Sequence, residues 1–227
     1  MKKFASFFAV FLFITLFAVA SEAGDRNIPV EVAQLTDSLK KQFAPDRRVA
    51  LLDVDYSFSD KNVMLRGVTT SAEAKNALLK ELARKGYAVM DCLELLPDVK
   101  GLEGKTCGII NVSVANMRVA PDFSSEMMTQ SLMGMPVRVL QRDGWVRIQT
   151  PDNYIAWVHR VGVHPVTEEE MAAWNKAEKI VVTAHYGFVY SEPNQTSQTV
   201  SDVVAGNRLK WEGSKGAFYK VTYPDGP

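Results

Sequence analysis

The chain has 227 residues, and its 26 Lys and Arg balance its 26 Asp and Glu, so the formal net charge at neutral pH is zero. That balance excludes the electrostatic footprint that gathers nucleic acid or an anionic membrane by counterion release. Without an N-terminal export segment, about 200 residues remain, room for one large domain or two to three small ones.

Met1, Lys2 and Lys3 form a basic head, and residues 4–20 are an unbroken apolar run rich in Phe, Leu and Val. Ala18-Val19-Ala20 and Ser21-Glu22-Ala23 both carry the small-x-small pattern that signal peptidase accepts, with Asp25 and Arg26 just beyond. Residues 1–23 are therefore expected to be a removed signal peptide, because the run is shorter than the roughly 20 apolar residues that span a bilayer. The expected product is exported, periplasmic or extracellular, with no stable membrane span after cleavage. No Cys follows the run to carry a lipid anchor.

Residues 28–43 place Val30, Ala33, Leu35, Leu39 and Phe43 at near-helical spacing behind Pro29, which suits a first turn. Residues 49–58 and 62–68 alternate apolar and polar around Ser59, Asp60 and Lys61, the pattern of a hairpin. Residues 70–85 open on a polar cap at Thr70 or Ser71, carry Ala74, Leu78, Leu79 and Leu82 as one stripe, and stop at Gly86. Residues 89–96 read as a further strand ended by Pro97. This α-β-β-α-β order over residues 28–98, with Leu65-Arg66-Gly67-Val68 leading into the second helix, resembles the BON domain, which is associated with envelope and lipid-surface contacts. A generic α+β spacer is the alternative.

From Ile109 onward the texture changes to short strands punctuated by Gly, Pro and Asp, and the chain repeats itself. Pro121 matches Pro193 and Gly134 matches Gly206 at equal separation, while Val137 and Val139 meet Leu209 and Trp211. Trp145 meets Phe218 after one extra residue, and Pro151-Asp152 meets Pro224-Asp225. The stretches VSVANMRVAPDFSSEM, Leu132-Met133-Gly134-Met135-Pro136-Val137, Asp143-Gly144-Trp145-Val146-Arg147-Ile148 and Tyr154-Ile155-Ala156-Trp157-Val158 resemble bacterial SH3-like (SH3b) domains. The resemblance implies SH3-like β-barrels at 109–165 and 166–227. The second has no counterpart of the strand at 154–158, and a barrel lacking its last strand leaves an open edge and an unfilled core. The expected fold class is α+β: a small BON-like unit followed by two SH3-like β-barrels, the second incomplete.

A signal peptide, a spacer and tandem SH3-like modules, with a short amphipathic helix predicted over 167–180, resemble the NlpC-type cell-wall cysteine endopeptidases. That resemblance implies peptidoglycan stem peptides as partners and a papain-like catalytic domain in cis beyond residue 227, cutting the γ-D-glutamyl to diamino-acid bond. It implies no cofactor. A non-enzymatic envelope scaffold that binds protein partners through its SH3-like modules is the alternative.

Catalysis is not expected within the chain itself. A nucleophilic thiolate needs a base and usually a helix N-terminus to lower its pKa, whereas Asp91-Cys92 imitates only the first two residues of the family's Asp-Cys-Ser-Gly and sits in a predicted strand. Cys92 and Cys107 allow either a disulfide in an oxidising compartment or two separate apolar fillers. His159, His164 and His185, with Cys107, give no metal-ligand spacing, and Glu168-Glu169-Glu170 reads as the acidic first turn of a helix. Binding remains. The resemblance implies that the first SH3-like module borders the catalytic cleft and holds the free N-terminus of the stem peptide. Arg118, Asp122, Glu126, Tyr154 and Trp157 are the candidate residues, with Glu126 or Asp122 beside Tyr154 suited to an ammonium group. Trp145 and Trp157 are expected to serve chiefly in the barrel core.

Overall fold

The structure is a computed structural model that describes residues 28–226. The expected signal peptide, residues 1–23, lies outside the described residues. Among those described, no helix is long and apolar enough to cross a membrane.

The N-terminal unit forms as its periodicity dictates. Helix α1, Val30–Phe43, buries Val32, Thr36 and Leu39, and helix α2, Ala72–Arg84, buries Ala74, Leu78 and Leu82. Ser71 caps α2, its hydroxyl accepting the Ala74 N–H at 3.0 Å. Strands β1 (Leu52–Ser59) and β2 (Asn62–Thr69) pair antiparallel, and β3 (Ala88–Leu95) joins β2 in parallel after the α2 crossover. The parallel pairing is what requires α2 to intervene, because two parallel neighbours cannot be joined by a tight turn. Gly67, at φ +117°, is needed where it stands: a Cβ there would fall 2.2 Å from the Asp53 carbonyl oxygen.

The strand expected from residue 49 begins only at Leu52, because a turn precedes it in which the Val49 and Ala50 N–H groups both donate to the Asp46 carbonyl at 3.0 Å. The Ile155 N–H donates to the Arg48 carbonyl at 2.6 Å, and the Asp98 N–H donates to the Leu140 carbonyl at 2.9 Å. Leu51 and Leu96 form one buried cluster with Leu140 and Ile155, so the first two units share a core at their border.

The second unit is built from β4 (Cys107–Ile110), β5 (Val114–Arg118), β6 (Met127–Leu132), β7 (Pro136–Asp143), β8 (Trp145–Gln149), β9 (Ile155–His159), a 3-10 turn at Arg160–Gly162 and β10 (Val163–Val166). These make one seven-stranded sheet in the order β10-β4-β7-β8-β9-β5-β6, wrapped over Met117, Val139, Val146, Ile148, Val158 and Ile110. The expected barrel is not closed, for the edge strands β10 and β6 do not pair with each other. The chain leaves β6 through a turn on Gly134 (φ +82°), which puts Met133 into the third unit instead of extending β6 along the sheet.

Helix α3 (Glu168–Lys176) follows, started by a reciprocal capping box between Thr167 and Glu170. Its Met171 and Trp174 pack with Ile109 and Val166, and the Trp174 Nε1–H donates to the Gly134 carbonyl at 3.3 Å. The third unit holds β11 (Lys179–Val181), β12 (Tyr186–Tyr190), β13 (Thr199–Val204), β14 (Arg208–Lys215) and β15 (Phe218–Thr222). Its strand register repeats that of the second unit: Val114↔Leu132 recurs as Tyr186↔Val204, and Cys107↔Arg138 as Lys179↔Lys210. The irregularities recur as well, at Met117/Arg118 and Val189/Tyr190, and at Val139/Gln141 and Trp211/Gly213. One difference stands out. In the second unit β9 pairs with both β8 and β5, whereas among the described residues of the third no strand bridges β15 and β12, and its sheets, β11-β14-β15 and β12-β13, remain separate.

Candidate functional site

A groove on the second unit lies between the loop joining β5 to β6 and the end of β9. It has an apolar floor of Val114 and Val158, with Arg118, Phe123, Trp145 and His159 around it. Local chemistry shapes the loop. The Asp122 carboxylate accepts the Ser124 N–H at 2.6 Å and the Ser124 hydroxyl at 2.8 Å, and the Ala120 N–H donates to the Ser125 hydroxyl at 2.9 Å. Arg118 closes the base of the loop, its Nη1–H donating to the Ser125 carbonyl at 2.6 Å.

So tethered, the loop presents Phe123 at its tip, 67% exposed. The ring meets Trp145 at 4.8 Å and His159 at 5.0 Å between centroids, and Trp145 stands edge-on to His159 at 5.3 Å. The last contact follows from register, because Trp145 and His159 are directly opposed across β8 and β9. Each such aromatic contact contributes about 0.5–1.5 kcal/mol beyond its buried area, enough to hold an otherwise solvated loop tip against the sheet.

The sequence-selected residues divide between two places. Arg118, Asp122 and Glu126 belong to the groove and its loop. Asp122 is exposed, and the Ser124 hydrogen bonds, with a smaller pull from Arg118, hold its carboxyl below the usual range. Glu126 is exposed, and its carbonyl accepts the Val119 N–H at 3.0 Å, closing the loop. Tyr154 stands at the border with the N-terminal unit, while Trp157 is the strand partner of Arg118 across β9 and β5. The Arg48 guanidinium lies 5.9 Å from the centre of the Tyr154 ring, and that of Arg147 lies 5.0 Å from the centre of the Trp157 ring. Among the described residues no hydrogen bond joins Tyr154 to Asp122 or Glu126. Burial lowers the pKa of Arg147, with Asp53, 3.9 Å away, opposing the shift.

Trp145 and Trp157 are half-buried on the outer face, contrary to the expectation that they serve in the core. Val146, Ile148, Ala156 and Val158 take the core positions on the same strands. Sequence reasoning missed Phe123 and His159. Phe123 carries a signal, since a large apolar ring amid Asp122, Ser124 and Ser125 serves no strand or helix period. The aromatic role of His159 depends on Trp145 in the strand opposite it, which no local pattern announces.

Cys92 is exposed on β3 and Cys107 half-buried on β4, and both are free thiols, so the disulfide that the pair allowed is not formed in the structure. Cys92 lies within a strand and not at a helix N-terminus. Among the described residues no group of three or more His, Cys, Asp or Glu could hold a metal ion.

Residues 117–161 match a family model described as the bacterial dipeptidyl-peptidase SH3 domain. The match begins at Met117 in β5 and ends just past β9, taking in the whole loop and all four residues around the groove. No curated protein matches the chain. Among solved structures, an NlpC/P60 family protein from Bacillus cereus is 20% identical with a TM-score of 0.44, covering 53% of this chain and 52% of its own. An NlpC/P60 endopeptidase from Photobacterium damselae subsp. piscicida is 11% identical with a TM-score of 0.41, covering 85% of this chain and 42% of its own. The chain thus spans about half the length of the former and less than half of the latter.

Proposed function

We propose that the chain is the wall-binding and substrate-positioning portion of an exported NlpC-type endopeptidase, catalysis residing in a domain held in cis. The observation that carries this reading is the family match at residues 117–161, which contains the loop and the Arg118, Phe123, Trp145 and His159 side chains of the groove. The groove is assigned to peptidoglycan stem peptides. Phe123, Trp145 and His159 offer ring faces to the aliphatic parts of such a peptide, and the remaining N–H donors of Arg118 suit a carboxylate. Asp122 and Glu126 supply negative charge for an ammonium group, while Tyr154 shapes the edge facing the N-terminal unit and Trp157 stands beside Arg118. The third unit is assigned as a second SH3-like module on its repeated register, and residues 28–98 as a BON-like spacer.

Retention of purified residues 28–227 on peptidoglycan sacculi, with competition by soluble stem peptides, tests the reading. Binding that stem peptides displace, and that falls at least tenfold in Phe123→Ala and Arg118→Ala, is the expected result. Absence of retention at moderate salt, or binding that neither substitution changes, would refute it.

A further inference from the structure

The outer face of the N-terminal sheet gathers sulfur at a distance from the groove. Helices α1 and α2 cover the other face, where Tyr56, Val63, Leu65 and Leu93 cluster with Leu39 of α1 and Leu78 of α2. Side chains alternate along a strand, so Met64 and Arg66 of β2 and Met90 and Cys92 of β3 fall on the side away from the helices.

The register orders that outer face into rows. Ser57, Met64 and Met90 are neighbours across the three strands, then Asp55, Arg66 and Cys92, then Asp53, Val68 and Glu94. The third row meets the next unit: Val68 packs against the cluster of Leu51, Leu96, Leu140 and Ile155, and Asp53 lies 3.9 Å from Arg147. The first two rows lie beyond that border, and β3 is the last strand of its sheet. Met90 is 58% exposed, Met64 is half-buried, and Cys92 is an exposed free thiol. Burial therefore gives no account of Met90, which stands directly beside a second methionine and one pleat from a cysteine.

Neighbouring strands lie about 4.8 Å apart and alternate residues of one strand about 6.6 Å apart, so the three residues form a triangle small enough for their sulfur atoms to close on one ion, the methionines through three rotatable bonds each. Ligand type selects the ion. Two thioethers and a thiolate suit a soft monovalent ion, whereas zinc is held by imidazole, thiolate and carboxylate, and magnesium or calcium by oxygen. Charge acts in the same sense. Arg66, the register neighbour of Cys92, repels a divalent cation twice as strongly as a monovalent one, and Asp55 on its other side offsets part of that repulsion.

We propose that Met64, Met90 and Cys92 form a surface site for Cu(I), held by two thioether sulfurs and the Cys92 thiolate. Binding makes three metal–sulfur bonds and releases the Cys92 proton to solvent, with no change of oxidation state.

The test titrates residues 28–227 anaerobically with Cu(I) against a chromophoric Cu(I) chelator, and with Ag(I), a redox-silent ion of the same charge and softness, while NMR follows the methionine methyl groups. One equivalent bound by a monomer, with the methyl signals of Met64 and Met90 moving and those of Met117 and Met133 still, is the expected result. Met90→Leu and Cys92→Ser should each weaken binding at least about tenfold, while Cys107→Ser leaves it unchanged. Met90→Leu exchanges one exposed apolar side chain for another of similar volume, so its loss of affinity does not arise from misfolding. Affinity unchanged in Met90→Leu would reduce the site to a single thiol and overturn the proposal, as would binding lost in Cys107→Ser or binding seen only in a Cys92-bridged dimer. Retention on sacculi enters none of these readouts, so failure of the sulfur site and failure of the ligand groove are distinguishable.

Discussion

Replacement of Gly134 by Ala separates two kinds of glycine requirement at the junction of the second and third units. Gly104 at φ +79°, Gly134 at φ +82° and Gly206 at φ +92° share a left-handed backbone. Their surroundings differ. A Cβ at Gly104 meets nothing within 4 Å, one at Gly206 comes 2.8 Å from the Leu132 Cδ1, and one at Gly134 falls 2.2 Å from the Arg208 carbonyl oxygen. Gly104→Ala thus reports conformational strain alone, about 1 kcal/mol. Gly206→Ala adds an overlap that a leucine rotamer can relieve, for a total of about 1–2 kcal/mol. Gly134→Ala forces backbone apart where the Arg208 N–H donates to the Met133 carbonyl at 3.0 Å, and should destabilise by at least about 3 kcal/mol. At roughly 2–4 °C per kcal/mol for a chain of this size, Gly134→Ala should melt about 6–12 °C lower and Gly104→Ala about 2–4 °C lower. Calorimetry of the three variants, with hydrogen exchange at Arg208, checks the order. Equal losses for Gly134→Ala and Gly104→Ala would refute the claim that backbone contact between the units sets the requirement.

Met133 belongs to the second unit by sequence but lies 1% exposed in the core of the third, so Met133→Ala should cost about 2–5 kcal/mol and loosen β13 and β14 while sparing β8, as read by hydrogen exchange. Asp46 is held down at about 2 by its hydrogen bonds from Arg48. Its folded pKa lies below the ordinary aspartate value of 3.8, so any stabilisation by this exposed pair is present above 3.8 and lost as pH falls through about 2. Carboxylate NMR should place its midpoint near that lower value and return it towards 3.8 in Arg48→Ala. Exposed Cys92 should alkylate faster than Cys107, whose thiol pKa is pushed up by burial and by Glu168, as mass spectrometry of a timed labelling series would show.

The candidate site was half-legible before any coordinates. Arg118 and the Asp122 loop announce themselves because short-range chemistry builds them: the carboxylate of Asp122 turns back on Ser124 two residues away. Trp145 and Trp157 deceived, because alternation says which residues share a face of a strand but not which face turns inward. Phe123 required the loop to be folded onto β8 and β9 before its purpose showed.

Periodicity and punctuation along the chain suffice for the α-β-β-α-β order, the breaks at Gly86 and Pro97, and the repeat of Pro121 and Gly134 in Pro193 and Gly206, because each depends on residues a few positions apart. Distant pairings belong to the folded molecule. The parallel marriage of β2 with β3, the shared cluster of Leu51, Leu96, Leu140 and Ile155, the passage of Met133 into the neighbouring unit and the open seven-stranded sheet all join residues far apart in the chain. Hydrophobic attraction has no direction and does not name its partner, so burial at such contacts is decided only when whole units meet.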